Sequence, residues 1–191
     1  MIRKQFLKGQ LMKKSFVTLA AAALLGSSAA LAQSVGEKTG VNSTLGISPS
    51  TQDFVKEAAI SDMMEIESSK IAQQKGNADE KKFAGQMIAD HTKTSSELKG
   101  LVTSGEVKAE LPTQLDSSSQ GKLDKLRNAK PEDFPGQYDP MQVSAHKDAV
   151  SLFERYAKGG DNAKLKDWAG KTLPALQHHL EMAQAMDKNR K

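Results

Sequence analysis

A chain of 191 residues with 27 basic residues, 23 acidic residues and no cysteine has the length of a single domain and no means of building a disulfide framework or thiolate chemistry. Its net charge of +4 does not point to nucleic acid, because five basic residues (Arg3, Lys4, Lys8, Lys13 and Lys14) fall in the first 32 positions; the 22 basic and 23 acidic residues that follow balance to −1. Aromatics make up only 5%, so the core is expected to be mostly aliphatic and methionine.

Residues 1–32 read as a secretory signal. Basic residues precede a short apolar run from Phe16 to Leu25, and Ala30-Leu31-Ala32 supplies the small residues a signal peptidase reads, with Met1 and Met12 both plausible starts. The run is shorter than the roughly 20 residues a membrane-spanning helix needs, and no later segment qualifies. An exported chain is therefore expected, periplasmic or associated with the outer membrane, with no membrane span and no nucleic-acid partner. Residues 33–50 hold Gly, Ser, Thr and Asn without periodicity and are expected to form a flexible leader.

Helical patterning begins at Ser50, which with Asp53 has the spacing of a capping box. The first long helix is expected over Thr51–Lys75, ending at Gly76, with Phe54, Val55, Ala58, Ala59, Met63, Ile66 and Ala72 facing inward. Asp62 and Glu65 share that arc, while Glu57 and Glu67 do not. Asn77 to Glu80 is a second cap, and the next helix runs to about Ser104 before Gly105. Its apolar arc carries Phe83, Met87, Thr94, Leu98 and Leu101, and His91 stands where a leucine would be expected.

A weaker helix over Ser117–Ala129, anchored by Leu123 and Leu126, reads as a crossover strap. Pro131, Pro135 and Gly136 then break the chain. A third long helix is expected over Gly136–Lys158 with His146 on its apolar arc. The fourth, capped by Asp161, runs to about Asp187 with His179 inward, His178 outward and Pro174 inside. Two antiparallel hairpins joined by one long crossover give an all-α, ferritin-like four-helix bundle over residues 51–187.

Four-helix bundles build metal sites from inward side chains on facing helices. Glu65, His91, His146 and His179 offer one candidate ligand per helix, with Asp62 and Asp90 as further oxygens either on the ion or behind the imidazoles. Three imidazoles and a carboxylate suit zinc, copper, iron or manganese. The competing reading is a hydrogen-bonded polar layer that only fixes helix register. A count of about 1.5 Å per residue sets Glu65 roughly 16 Å and His91 roughly 22 Å from the Gly76 turn, and His146 about 20 Å and His179 about 28 Å from Gly159-Gly160. Mismatches of that size count against one shared level, although long side chains and the Pro174 kink could absorb part of them. The inward methionines, Met63, Met87, Met141 and Met186, are expected in the core.

Asp53-Phe54 and Glu65-Ile66-Glu67, Phe83-Ala84 through Met87-Ile88-Ala89-Asp90-His91, His146 with Leu152-Phe153, and Leu173-Pro174-Ala175-Leu176 followed by His179-Leu180 together resemble domain-of-unknown-function family 4142. That is a ferritin-like family of exported bacterial proteins, often labelled outer-membrane proteins. The resemblance covers about Thr51 to Met186 and implies the fold; it places the family's polar positions on Glu65, Asp90, His91, His146 and His179 and implies no established activity. The chain lacks the Glu-x-x-His pairs of di-iron bundles, since Ile88, Val143 and Leu176 stand three residues before the histidines. Metal handling or stress tolerance in the envelope without catalysis is the expectation. A peroxide- or superoxide-scavenging metalloenzyme and a structural interaction module are the alternatives.

Overall fold

The computed structural model describes residues 40–190, and the signal sequence expected over residues 1–32 lies outside them. Among the described residues the protein is all-helical: α1 (Val41–Leu45), α2 (Thr51–Lys75), α3 (Ala78–Thr103), α4 (Ser117–Asn128), α5 (Phe134–Gly159) and α6 (Ala163–Asn189). Helices α2 and α3 pair most extensively with each other, as do α5 and α6, so the bundle consists of two hairpins docked through smaller contacts.

Local chemistry explains the ends. Ser50 Oγ accepts from the Asp53 N–H, and Asn77 Oδ1 accepts from Asp79 and Glu80 while Glu80 Oε2 accepts from the Asn77 N–H, a reciprocal capping box. Gly105, at φ 80°, supplies the left-handed turn after α3. Pro135 does not break the chain; it sits in the first turn of α5, where a missing N–H costs nothing and its fixed φ suits the helix. The cap of α6 is Asn162, whose Oδ1 accepts from Leu165 N–H at 2.9 Å, and not Asp161, whose carboxylate is taken by Thr51 and Tyr156 instead.

Inside the expected leader, α1 lies against α5, with Asn42 buried and the Ser43 and Ser151 hydroxyls 3.1 Å apart. The strap α4 drives Leu123 and Leu126 fully into the core, and Lys75 Nζ donates to the carbonyls of Arg127 and Ala129 at its end. Because α2 is packed by α3, α4 and α5, its buried arc is wider than one hairpin seam requires. It takes in Ile60, Met64, Ser68 and Ile71, while Met63 and Ile66, expected inside, are half-buried. Met87 is fully buried; Met141 and Met186 are half-buried at the edge of the core.

Two apolar clusters fill the interior. One gathers Phe54, Leu98, Phe153, Tyr156, Leu165 and Trp168, with Phe54 stacked on Tyr156 at 4.1 Å. The other gathers Ile71, Phe83, Met87, Leu123, Phe134 and Tyr138. Along every long helix a polar residue falls where the chain passes from one cluster to the other: Asp62 after Ala58, His91 between Met87 and Leu98, His146 between Tyr138 and Ala149, His179 between Leu176 and Ala183. The polar groups therefore form a layer across the bundle.

Candidate metal centre

His91 on α3, His146 on α5 and His179 on α6 are 2%, 1% and 3% exposed. Their ring centroids lie 5.8 Å (His91 to His146), 5.5 Å (His91 to His179) and 5.5 Å (His146 to His179) apart. One nitrogen from each falls within 4.8 Å of the others. The register count had placed His146 and His179 on different levels, and this expectation is overturned. The fourth long helix starts at Ala163 rather than at the glycines, which shortens the His179 leg to about 24 Å, and the imidazoles span the rest.

The same count succeeds for the other hairpin, although with a different residue. Asp62 lies one turn beyond Glu65 from Gly76, level with His91, and it is Asp62 Oδ1 that meets His91 Nδ1 at 2.7 Å. Thr94 Oγ1 donates to both Asp62 oxygens at 3.0 Å and Ser95 Oγ donates at 3.1 Å, so the carboxylate is held rigidly behind the ring. Asp90 does the same for His179, meeting Nε2 at 2.8 Å and steadied by Gln86 Nε2 at 2.6 Å. His146 Nδ1 is 2.9 Å from the Gln142 carbonyl oxygen. Since that oxygen can only accept, Nδ1 carries the proton.

These partners fix the tautomers. With His91 Nδ1, His146 Nδ1 and His179 Nε2 donating outward, the opposite nitrogens present bare lone pairs whenever the rings are neutral. His91 Nε2, His146 Nε2 and His179 Nδ1 are all buried without a hydrogen-bond partner. Glu65, 1% exposed, leaves both carboxylate oxygens equally unpartnered. Its charge acts on His91 and His146, although it does not join the close triangle of nitrogens. Buried acceptors are normally satisfied, and here a group of them has no donor.

The electrostatics follow from burial and carboxylates. Burial pulls His91 down, but the hydrogen bond and charge of Asp62, with Glu65 and Asp90 behind it, prevail and leave it raised. His146, desolvated with only Glu65 and a backbone carbonyl in support, is lowered. Burial drives His179 down to about 4 despite Asp90, and the neighbouring imidazoles add to the shift. Asp90 is lowered, because its bonds to Gln86 and His179 outweigh its own desolvation. Two of the three rings are thus held neutral, the form in which imidazole binds a metal.

The residue-by-residue outcome is clear. His91, His146 and His179 come together, Asp62 and Asp90 stand behind two of them, and Glu65 flanks the triangle on the α2 side. His178 is exposed. The supporting residues Thr94, Ser95, Gln86 and Gln142 had no assigned part. Gln142 one turn before His146, and Thr94 one turn after His91, are the spacings that mark them.

Sequence comparison bears on this centre. A model of a domain of unknown function, DUF4142, matches residues 36–186. The chain belongs to the DUF4142 family. No curated protein and no solved structure matches the chain, so for this DUF4142 domain the chemistry has to be argued from the buried histidines themselves. They could hold a metal ion: three imidazole nitrogen donors, each oriented by an outer hydrogen bond, are the donor set and the outer support that protein metal sites use.

Proposed function

We propose that this protein is an exported, ferritin-like helical bundle that binds one transition-metal ion through His91, His146 and His179 and serves metal handling or stress tolerance in a bacterial envelope. The observation that carries the reading is that three buried imidazoles, each with one partnerless nitrogen, bring a nitrogen apiece within 4.8 Å of one another, while the partnerless carboxylate of Glu65 acts on two of them. A cation would satisfy the three nitrogens at once, and Glu65, outside the close triangle, would offset its charge. An ion held at about 2.0–2.1 Å sets its nitrogens roughly 3.3 Å apart, so small rotations of the rings are needed to close the triangle. Zinc, copper, iron and manganese all suit the donors.

Export is supported by the basic start, the Phe16–Leu25 run and Ala30-Leu31-Ala32. No helix among the described residues is long and apolar enough to cross a membrane. Elemental analysis of purified protein after exposure to each of the four metals, beside a His91→Ala/His146→Ala variant, tests the binding. Stoichiometric metal in the parent and none in the variant is the expected result, and metal in neither overturns the proposal. A mature N-terminus at Gln33, read by mass spectrometry, tests export.

A second reading has one observation in its favour: a three-histidine set leaves a coordination position open, as catalytic sites do. Peroxide or superoxide scavenging would use that position with a redox-active ion. A centre that takes up zinc alone would rule this reading out.

A further inference from the structure

A centre whose rings are 1–3% exposed has to be reached past some side chain. A groove of about 730 Å³ runs between α3 and α6, and Asp90, Thr94, Thr172 and Ala175 are part of its wall. Two of these touch the outer shell of the centre: Asp90 bonds His179, and Thr94 bonds the Asp62 that holds His91. A second groove, between α4 and α5, touches no residue of the centre.

The charges in the first groove are matched in pairs. Lys93 faces Glu97 at 3.9 Å, Lys164 faces Glu106 at 3.9 Å, and Lys171 meets Asp167 at 2.6 Å. Every lysine in the wall is thereby countered, and Asp90 remains as the carboxylate without a lysine or arginine partner. Its side chain is 34% exposed while that of His179 is 3% exposed. Asp90 thus connects the groove to the buried triangle.

We propose that the α3–α6 groove is the loading route of the centre for a divalent transition-metal cation, and that Asp90 is the carboxylate the ion meets first, its bond to His179 closing the inner end. This rests on the metal-binding reading above. The net negative charge of the groove draws cations in, and its residual charge is concentrated where the path enters the bundle. Movement of the Asp90 carboxylate from His179 Nε2 to the arriving ion frees the ring to turn.

The test is stopped-flow loading with Co²⁺, read by its visible absorption, and removal by EDTA. Ala175 is exposed one turn before His179, so Ala175→Phe plugs the groove without entering the core. Loading and removal are both expected to slow roughly tenfold or more with unchanged equilibrium affinity, as obstruction of a path acts on both rates alike. Ser144→Phe plugs the α4–α5 groove and is expected to load at the parent rate. Lys93→Glu, at a side chain 75% exposed, carries little folding risk and is expected to speed loading severalfold at low salt and not at high salt. A parent rate in Ala175→Phe, equal slowing by both plugs, or no salt-dependent gain in Lys93→Glu overturns the route. Failure of the parent protein to take up Co²⁺ overturns the metal-binding reading itself, and the route with it.

Discussion

Replacing His146 by leucine separates a ligand from a structural core residue, because the two roles predict opposite signs. In the metal-free protein His146 Nε2 is a buried acceptor without a partner, which costs about 1–3 kcal/mol relative to an apolar group of similar size. The ring lies edge-on to Phe83 at 6.0 Å, a surrounding that accepts leucine. The lost Nδ1–H bond goes to the Gln142 carbonyl, which keeps its helical backbone donor, so little is forfeited there. His146→Leu should therefore be more stable than the parent in chelator-treated buffer by about 1–3 kcal/mol, or some 2–4 °C in Tm per kcal/mol for a domain of this size. With an ion at a hundredfold excess over its Kd the parent gains about 2.7 kcal/mol and the variant gains nothing, so the advantage of the variant shrinks or reverses. Thermal unfolding of both proteins with and without metal measures the crossing. A variant less stable than the parent in chelator by more than about 1 kcal/mol, or one that keeps the metal-induced shift, would show that His146 is a core residue and not a ligand.

Three further outcomes are expected. Asp62→Asn leaves an acceptor for His91 but removes the negative charge, and it should weaken metal affinity roughly 10- to 100-fold in a chelator competition; unchanged affinity would mean that His91 is not held through Asp62. Burial and the adjacent Glu80 raise the Asp139 carboxyl to about 7, and Glu80 Oε2 is committed to the Asn77 N–H at 2.6 Å, so Asp139 carries the proton. Being raised on folding, Asp139 favours the folded state most below about pH 4, and that contribution is lost as pH climbs to about 7, a loss of roughly 2–4 kcal/mol. Urea unfolding across pH 4–8 should show this slope in the stability difference between the parent and Asp139→Asn, since the histidines contribute equally to both, and parallel curves would contradict it. At Gly76 the backbone, with φ −71°, suits any residue, but a Cβ would lie 2.7 Å from the Ala72 carbonyl oxygen and 2.9 Å from the Glu80 side chain. Gly76→Ala should therefore cost about 1–3 kcal/mol by overpacking the α2–α3 turn, visible as a lower Tm.

Much of this molecule can be read in the chain because caps and periodicity are local. Ser50 with Asp53, and Asn77 with Glu80, announce helix starts by the same hydrogen bonds that the structure makes. His91, His146 and His179 announce their burial by standing at apolar positions of a 3.6-residue pattern. What cannot be read locally is how the two hairpins are set against each other. The rise per residue correctly set His91 a turn away from Glu65, because both are counted from one tight turn, but Asp62, which is level with His91, was not counted. It misplaced His179 because the loop Gly160–Asn162 leads into α6 at Ala163 and the count began three residues too early. Met63 and Ile66 were misassigned for a related reason: the strap α4 buries a flank of α2 that no hairpin partner reaches. Glu65 falls between these cases, its burial legible and its offset from the nitrogen triangle dependent on packing across helices.

The division of the bundle into two hairpins bears on how long it stays closed. His91 belongs to one hairpin, His146 and His179 to the other, and the contacts within each hairpin are close in sequence while those between hairpins are distant and fewer. Near-neighbour contacts form fast and distant ones late, so docking is expected as the last event of folding and undocking as the first of unfolding. An ion seated across that seam would be a cross-link in a chain without cysteine. Proteases cut the open form, and the residence time of the ion would then set how long the chain survives among them.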